Sequence, residues 1–295
     1  TPAAIIRSND AYFDMEKRLS FMNDNGVDHQ ILSFPGLFGV DSLPVDQCFS
    51  VLKAFNNETS NLCKKYPTQF SGLAALPISD AKSAVEEFRR ARLELGLIGA
   101  ILPINGFTSL EHAKQMTPLF DTAEEIGGHI FIHPGRRPNE VPAPSNKNGP
   151  SSFTDNHMAR QALFIQDRCA ACMVTLLFTD FLAPYSKVMP HVANLGGTLP
   201  MVIERMDQLN KTRTPNQPAP SSKLNRVFVD CSSLGPRSIN IAAAFYGSDK
   251  ILFGTDCPIF TTHDSKDAVK NSGLSEEVQD AIYSGNAKKL LSDYL

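Results

Sequence analysis

No stretch of this sequence stays apolar for long. The longest such run, Ile98 to Ile104, falls far short of the roughly 18 residues that span a bilayer, and nothing at the N-terminus resembles a signal peptide, so the chain reads as soluble. Positive charge is not in excess either: 28 Lys and Arg stand against 31 Asp and Glu, a formal net charge of −3. Without a basic field to gather nucleic acid or anionic lipid, neither is an expected partner. Cysteine is sparse. The six, Cys48, Cys63, Cys169, Cys172, Cys231 and Cys257, are too few for a disulfide framework in 295 residues, and each sits in an apolar segment, which predicts buried reduced thiols and a cytoplasmic location. Cys169 and Cys172 form a C-x-x-C, yet a zinc ribbon needs a second pair, and the neighbours Ala170, Ala171, Met173 and Val174 read as a helix interior. Two catalytic signatures are also missing. Gly-x-Ser-x-Gly does not occur, which removes the case for a serine nucleophile, and no Gly-x-Gly-x-x-Gly follows a strand, so Gly196-Gly197 is not a phosphate cradle.

What the chain does have is an apolar fraction of 42%, enough to bury a core and too high for a disordered chain. A single domain is expected over residues 1–295. Helical and strand patterns alternate along it. Val45, Cys48, Leu52, Phe55, Leu62 and Tyr66 fall at helical steps and put one apolar stripe on a helix. Phe70 to Leu76 reads as a strand stopped by Pro77; Ser79 or Asp80 then caps a helix carrying Ala84, Val85, Phe88, Ala91 and Leu95, which Gly96 ends. Ile98 to Leu102 is continuously apolar, as a parallel strand covered on both faces requires. A helix follows, with Thr117 as cap, Pro118 at its first position and Gly127 at its end. With Gln30 to Phe34, His129 to His133, Lys187 to Val192, Arg226 to Asp230 and Ile251 to Gly254, seven strands are predicted. The alternation implies α/β structure with a parallel sheet, and the length favours a (β/α)8 TIM-type barrel over an open sheet. A closed barrel needs eight strands. Before residue 15 only Ala3-Ala4-Ile5-Ile6 is strand-like, so the first strand is expected to be missing from this chain.

The active site of such a barrel lies at the C-terminal ends of its strands. Four predicted ends carry polar residues: His133-Pro134-Gly135-Arg136-Arg137, Asn194-Leu195-Gly196-Gly197, Asp230-Cys231-Ser232-Ser233 and Gly254-Thr255-Asp256-Cys257-Pro258. Together with Gly26-Val27-Asp28, Gly72-Leu73-Ala74-Ala75-Leu76-Pro77, Pro200 and Arg205, these motifs run in order from about residue 15 to the end. The set resembles the amidohydrolase-related branch of the amidohydrolase superfamily, which includes the aminocarboxymuconate-semialdehyde decarboxylase-like enzymes.

That resemblance implies a barrel that decarboxylates a small unsaturated or aromatic carboxylate with the help of one divalent metal, zinc or manganese. By position it makes His133, after the family's fifth strand, and Asp256, after its eighth, both metal ligands and catalytic residues. Imidazole and carboxylate are suitable ligand types and leave an open position for water or substrate. Asn194 stands where the family has a proton-handling histidine; an amide orients a carboxylate but does not exchange a proton near neutrality. Arg205, eleven residues after Asn194, matches an arginine that binds substrate carboxylate, in some members from the partner subunit of a homodimer. Taken alone, Arg205 reads as a surface ion pair with Glu204 or Asp207. Arg136 and Arg137 on the loop after His133, and His157 at the start of the next helix, complete the expected substrate-binding set. The family's paired His-x-His ligands occur nowhere here, which leaves the implied metal an incomplete ligand set. His191, inside its strand, reads as packing. Two rival readings use the same residues: a metal-dependent hydrolase of a lactone, ester or amide, in which Asp256 takes a proton from the attacking water, and a metal-free barrel that binds a small molecule without turnover.

Overall fold

The computed structural model describes residues 10, 14–34, 36, 39–140, 156–232, 234–257, 259–292 and 294, the side chains of Asn139 and His157 excepted. Seven strands pair in chain order: β1 (Gln30–Leu32), β2 (Phe70–Ala74), β3 (Gly99–Pro103), β4 (His129–His133), β5 (His191–Val192), β6 (Phe228–Asp230) and β7 (Ile251–Leu252). Every pairing is parallel, and each strand falls within a predicted segment or overlaps most of it. The sheet curls as in a (β/α) barrel, and among the described residues β1 and β7 are not paired with each other. The strand-like Ala3 to Ile6 lies outside the described residues.

Apolar runs become strands here because both faces are covered. Every residue of β2 and β3 is buried. On β4 the alternation of side chains sends Ile130 and Ile132 into the main core, while His129, Phe131 and His133 share the opposite, barrel-interior face. The helices cover the outside: α1 (Met15–Asp24), α2 (Val45–Lys65), α3 (Ala81–Leu93), α4 (Leu110–Gln115), α5 (Thr117–Ile126), α6 (His157–Phe178), α7 (Leu199–Arg213), α8 (Pro236–Tyr246), α9 (Thr262–Lys270), α10 (Glu276–Asp280) and α11 (Asn286–Leu291). Phe107, Phe120, Phe181 and Tyr185 cluster beside them, with Phe181 edge to face against Phe107 and Phe120.

Among the described residues one segment, Met158–Phe178 in α6, is long and apolar enough to cross a membrane by length and composition. One face of it delivers Cys169, Cys172, Met173, Leu176 and Leu177 to the core, so the C-x-x-C is helix interior. Burial pushes the Cys169 thiol up to about 12, and none of the six cysteines is in a disulfide.

Helix starts differ slightly from expectation. Asp80 caps α3 by accepting from Ser83 N at 2.9 Å, whereas Ser79 Oγ donates to Leu43 O. Thr117 is the first residue of α5 and not its cap. Met116 closes α4 and opens α5 at once, which leaves no extended residue between them for a capping side chain.

Two asparagines fasten strands to helices. Asn286 of α11 donates to Ser248 O and Ile251 O, both at 2.8 Å. Asn56 of α2, fully buried, accepts from Ala75 N at 2.8 Å and donates to Ala75 O at 2.9 Å and to Glu87 Oε1 at 2.7 Å. Asn56→Leu is therefore expected to strand two backbone groups just beyond β2. At about 1–3 kcal/mol for each buried unpaired group, urea unfolding should record a loss of at least ~2 kcal/mol; a loss under ~0.5 kcal/mol would mean that this strand end is held by something else.

Candidate functional site

His133 ends β4 on the interior face. Its Nδ1 lies 3.1 Å from Pro134 O, and a carbonyl only accepts, so the proton sits on Nδ1 and the Nε2 lone pair is bare. Nε2 faces Asp256 Oδ1 at 4.0 Å. Burial holds the imidazole below its ordinary pKa, against the pull of the Asp230 charge, and keeps it neutral. Asp256 follows β7 with a left-handed φ of +51°, and its carbonyl accepts from Ile259 N to close the turn. Burial and the neighbouring Asp230 charge push its carboxyl up to about 7. Pro258, expected to fix this turn, lies outside the described residues.

Between them sits Asp230, the last residue of β6, almost fully buried. Its Oδ2 lies 2.8 Å from His191 Nε2, and its Oδ1 accepts from Ser232 N at 3.0 Å and Asn194 N at 3.3 Å. Burial opposes its ionisation, but the hydrogen bond and charge of His191, with the Ser232 donor, outweigh that and hold the carboxyl below the usual range. His191 Nδ1 lies 3.2 Å from Nε2 of His129, which burial pushes down to about 3. Asp230 closes an apolar run just as His133 does and lies at one of the four polar strand ends read from the sequence, where no role was assigned to it. His191 gave no such signal: it is no packing residue, and its partner stands 39 positions away.

Asn194 is buried beside this carboxylate. It begins four consecutive residues at positive φ, Asn194 (+58°), Leu195 (+52°), Gly196 (+66°) and Gly197 (+69°). A Cβ on Gly197 would fall 2.0 Å from Gln166 O, so close backbone approach to α6 explains the glycine. Gly254 is held the same way: its Cβ would meet Ser232 Oγ at 2.3 Å and Asp230 Oδ1 at 3.0 Å, which brings the chain leading to Asp256 against β6.

The arginines divide. Arg136 and Arg137 are half-buried on the loop after β4. Ser42 Oγ donates to Arg136 O at 2.5 Å, and Arg137 Nε donates to Glu140 Oε1 at 3.3 Å. Arg205 stands exposed on α7 with exposed Met201, Val202 and Leu209 one turn away on either side. It pairs with neither Glu204 nor Asp207 among the described residues; Asp207 Oδ1 accepts from Ser221 N instead. His157 opens α6, and its side chain lies outside the described residues. The structure thus brings His133, Asn194 and Asp256 together around Asp230, while Arg205 lies on the outer helix layer.

For a divalent metal, His133 Nε2 and the Asp256 carboxylate are suitable in type. The Asp230 carboxylate beside them also brings negative charge that a cation would balance. In number they fall short of the three protein ligands of a catalytic zinc site, and no cluster of three or more His, Cys, Asp or Glu able to hold a metal occurs among the described residues.

Comparison with known proteins agrees with this architecture. A γ-resorcylate decarboxylase of Polaromonas sp. (strain JS666 / ATCC BAA-500) is 26% identical over 296 residues, covering 93% of this chain and 86% of that protein. The 2-amino-3-carboxymuconate-6-semialdehyde decarboxylase of Dictyostelium discoideum is 23% identical, covering 95% of this chain and 77% of that one. The crystal structure of a dihydroxybenzoic acid decarboxylase from Polaromonas sp. JS666, with bound manganese and the inhibitor 2-nitroresorcinol, shares the fold. Its TM-score is 0.75 at 21% identity, over 95% of this chain and 86% of that one. Residues 7–292 match the amidohydrolase family from strand to strand, and the chain belongs to that family.

Proposed function

We propose that the protein is a carboxy-lyase that removes carbon dioxide from a small hydroxylated aromatic carboxylate bound over His133, Asn194 and Asp256. The observation that carries this reading is the facing pair at the strand ends: a bare His133 Nε2 opposite an Asp256 carboxyl whose pKa lies near neutrality. Its relatives across nearly the whole chain are named as decarboxylases.

Loss of carbon dioxide leaves an electron pair on carbon, and that carbon must then take a proton. Asp256, held up to about 7, divides between its protonated and ionised forms at neutral pH, and the protonated form is placed to give its proton to that carbon. Asn194 supplies an amide that orients the substrate's oxygens without competing for the proton. Arg136 and Arg137 offset the anionic charge of the substrate from the β4 loop. Arg205 acts across a homodimer in this reading, and the exposed Met201, Val202 and Leu209 around it are the apolar surface that a second copy would cover. A divalent cation, zinc or manganese, would be held by His133 Nε2 and the ionised form of Asp256, a pair one ligand short of a full set; when bound it would supply positive charge to the substrate's oxygens and leave Asp256 without the proton it otherwise gives. The manganese bound to the Polaromonas enzyme supports that assignment. Six cysteines outside any disulfide suit a reducing compartment such as the cytoplasm.

Incubation with γ-resorcylate and related hydroxybenzoates should release carbon dioxide, read by membrane-inlet mass spectrometry. Hydrolysis of a lactone or ester without carbon dioxide would move the assignment to a hydrolase. Asp256→Asn should leave stability within ~1 kcal/mol, since asparagine accepts a left-handed backbone, and lower turnover at least ~10²-fold. A folded, fully active variant would remove Asp256 from the chemistry. Arg205→Lys keeps the charge but loses the planar fork, so KM should rise roughly tenfold, on the scale of a charge-assisted hydrogen bond. An unchanged KM would return Arg205 to the helix surface.

A further inference from the structure

Beneath the mouth lies a file of three polar side chains that the reaction above does not use. His129, His191 and Asp230 come from three adjacent strands, and His129 and Asp230 are buried. Their hydrogen-bonding roles follow from one another. Ionised Asp230 only accepts, so His191 donates from Nε2 to Oδ2 at 2.8 Å. On its other side the His191 ring meets His129, with Nδ1 3.2 Å from His129 Nε2, which carries the file across to β4. Phe131 stacks on the His191 ring with centroids 4.4 Å apart and planes 27° from parallel, which restrains the ring from turning. The other Asp230 oxygen takes the backbone N–H groups of Asn194 and Ser232, and Gly254 packs against the same carboxylate. A single acceptor therefore reaches the turn after β5, the end of β6 and the turn after β7. Two of these turns contain non-glycine residues in the left-handed region, Asn194 with Leu195 and Asp256, where an L side chain does not rest without support.

We propose that Asp230, fixed by the His129–His191 file, is a positioning residue: it acts through the backbone of Asn194 and through the Gly254–Asp256 turn, and sets where both site side chains point without touching substrate. Its kinetic consequence rests on the decarboxylase reading; its structural consequence does not. The nearest alternative is that Asp230 is a buried pair contributing to global stability alone.

Amide hydrogen exchange separates these without reference to activity. In Asp230→Ala the Asn194 amide should exchange faster by roughly tenfold or more, the size of one lost hydrogen bond to a charged group, while the amide of Ile101 in β3 keeps its protection. On a substrate that the wild type decarboxylates, kcat should fall by a similar factor with KM little changed. Asp230→Asn keeps the shape but sets an amide N–H against the His191 N–H; it lowers kcat as well and stands in if the alanine variant does not fold. His191→Gln, whose amide can donate to Asp230, should restore most of the kcat that His191→Leu loses. Equal exchange at Asn194 in variant and wild type, or equal acceleration at Ile101, would overturn the proposal. So would an undiminished kcat in folded Asp230 variants. Should the wild type release no carbon dioxide, the decarboxylase reading fails, and the exchange comparison alone decides whether Asp230 sets the turns.

Discussion

A carboxylate taken out of water must be given donors where it stands, and at Asp230 that demand organises the catalytic end of the barrel. Desolvating such a group costs several kcal/mol unless hydrogen bonds replace its water. Here the donors come from a histidine of one strand and from backbone amides of two turns. Satisfying one charge thereby ties the end of β5 to the end of β6. The glycine at position 254 belongs to the same arrangement, since a Cβ there would collide with Ser232 Oγ and press on the Asp230 carboxylate.

Most of the fold was legible because a parallel strand covered on both faces reads as an unbroken apolar run, and Ile98 to Leu102 is such a run. Strand ends were read too long where backbone pairing gives way to side-chain contacts. Phe253 and Gly254 leave β7 as the chain turns around Asp230, and Lys187 to Pro190 precede β5 as a loop whose backbone amides bind Glu124. Membrane-compatible character in α6 went unnoticed because it is spread around a helix that contains Asp167 and Arg168, with no unbroken apolar run to announce it. The site was legible only in part, for a related reason. His133 and Asp256 each close an apolar run in their own segment, which a sequence displays. The partnership of His191 with Asp230 depends on strand register, with Phe131 opposite His191 and His191 opposite Phe228, and register is not written in any one segment.

Charge near the mouth is distributed by depth. Asp230, deepest, is held ionised by its donors; Asp256, nearer the opening, is not, and its pKa rises toward neutrality. Two carboxylates of the same type are thus shifted in opposite directions by their surroundings alone. Neutral His133 completes the set by presenting a lone pair without adding positive charge of its own.

The left-handed run from Asn194 to Gly197 is a mirror-image turn, and α7 begins two residues after it ends. Gly197 is wedged against the Gln166 carbonyl, so this link has no slack. The close approach that fixes Gly197 on α6 thereby sets the place of Asn194 on one side of it and the start of α7, which carries Arg205, on the other.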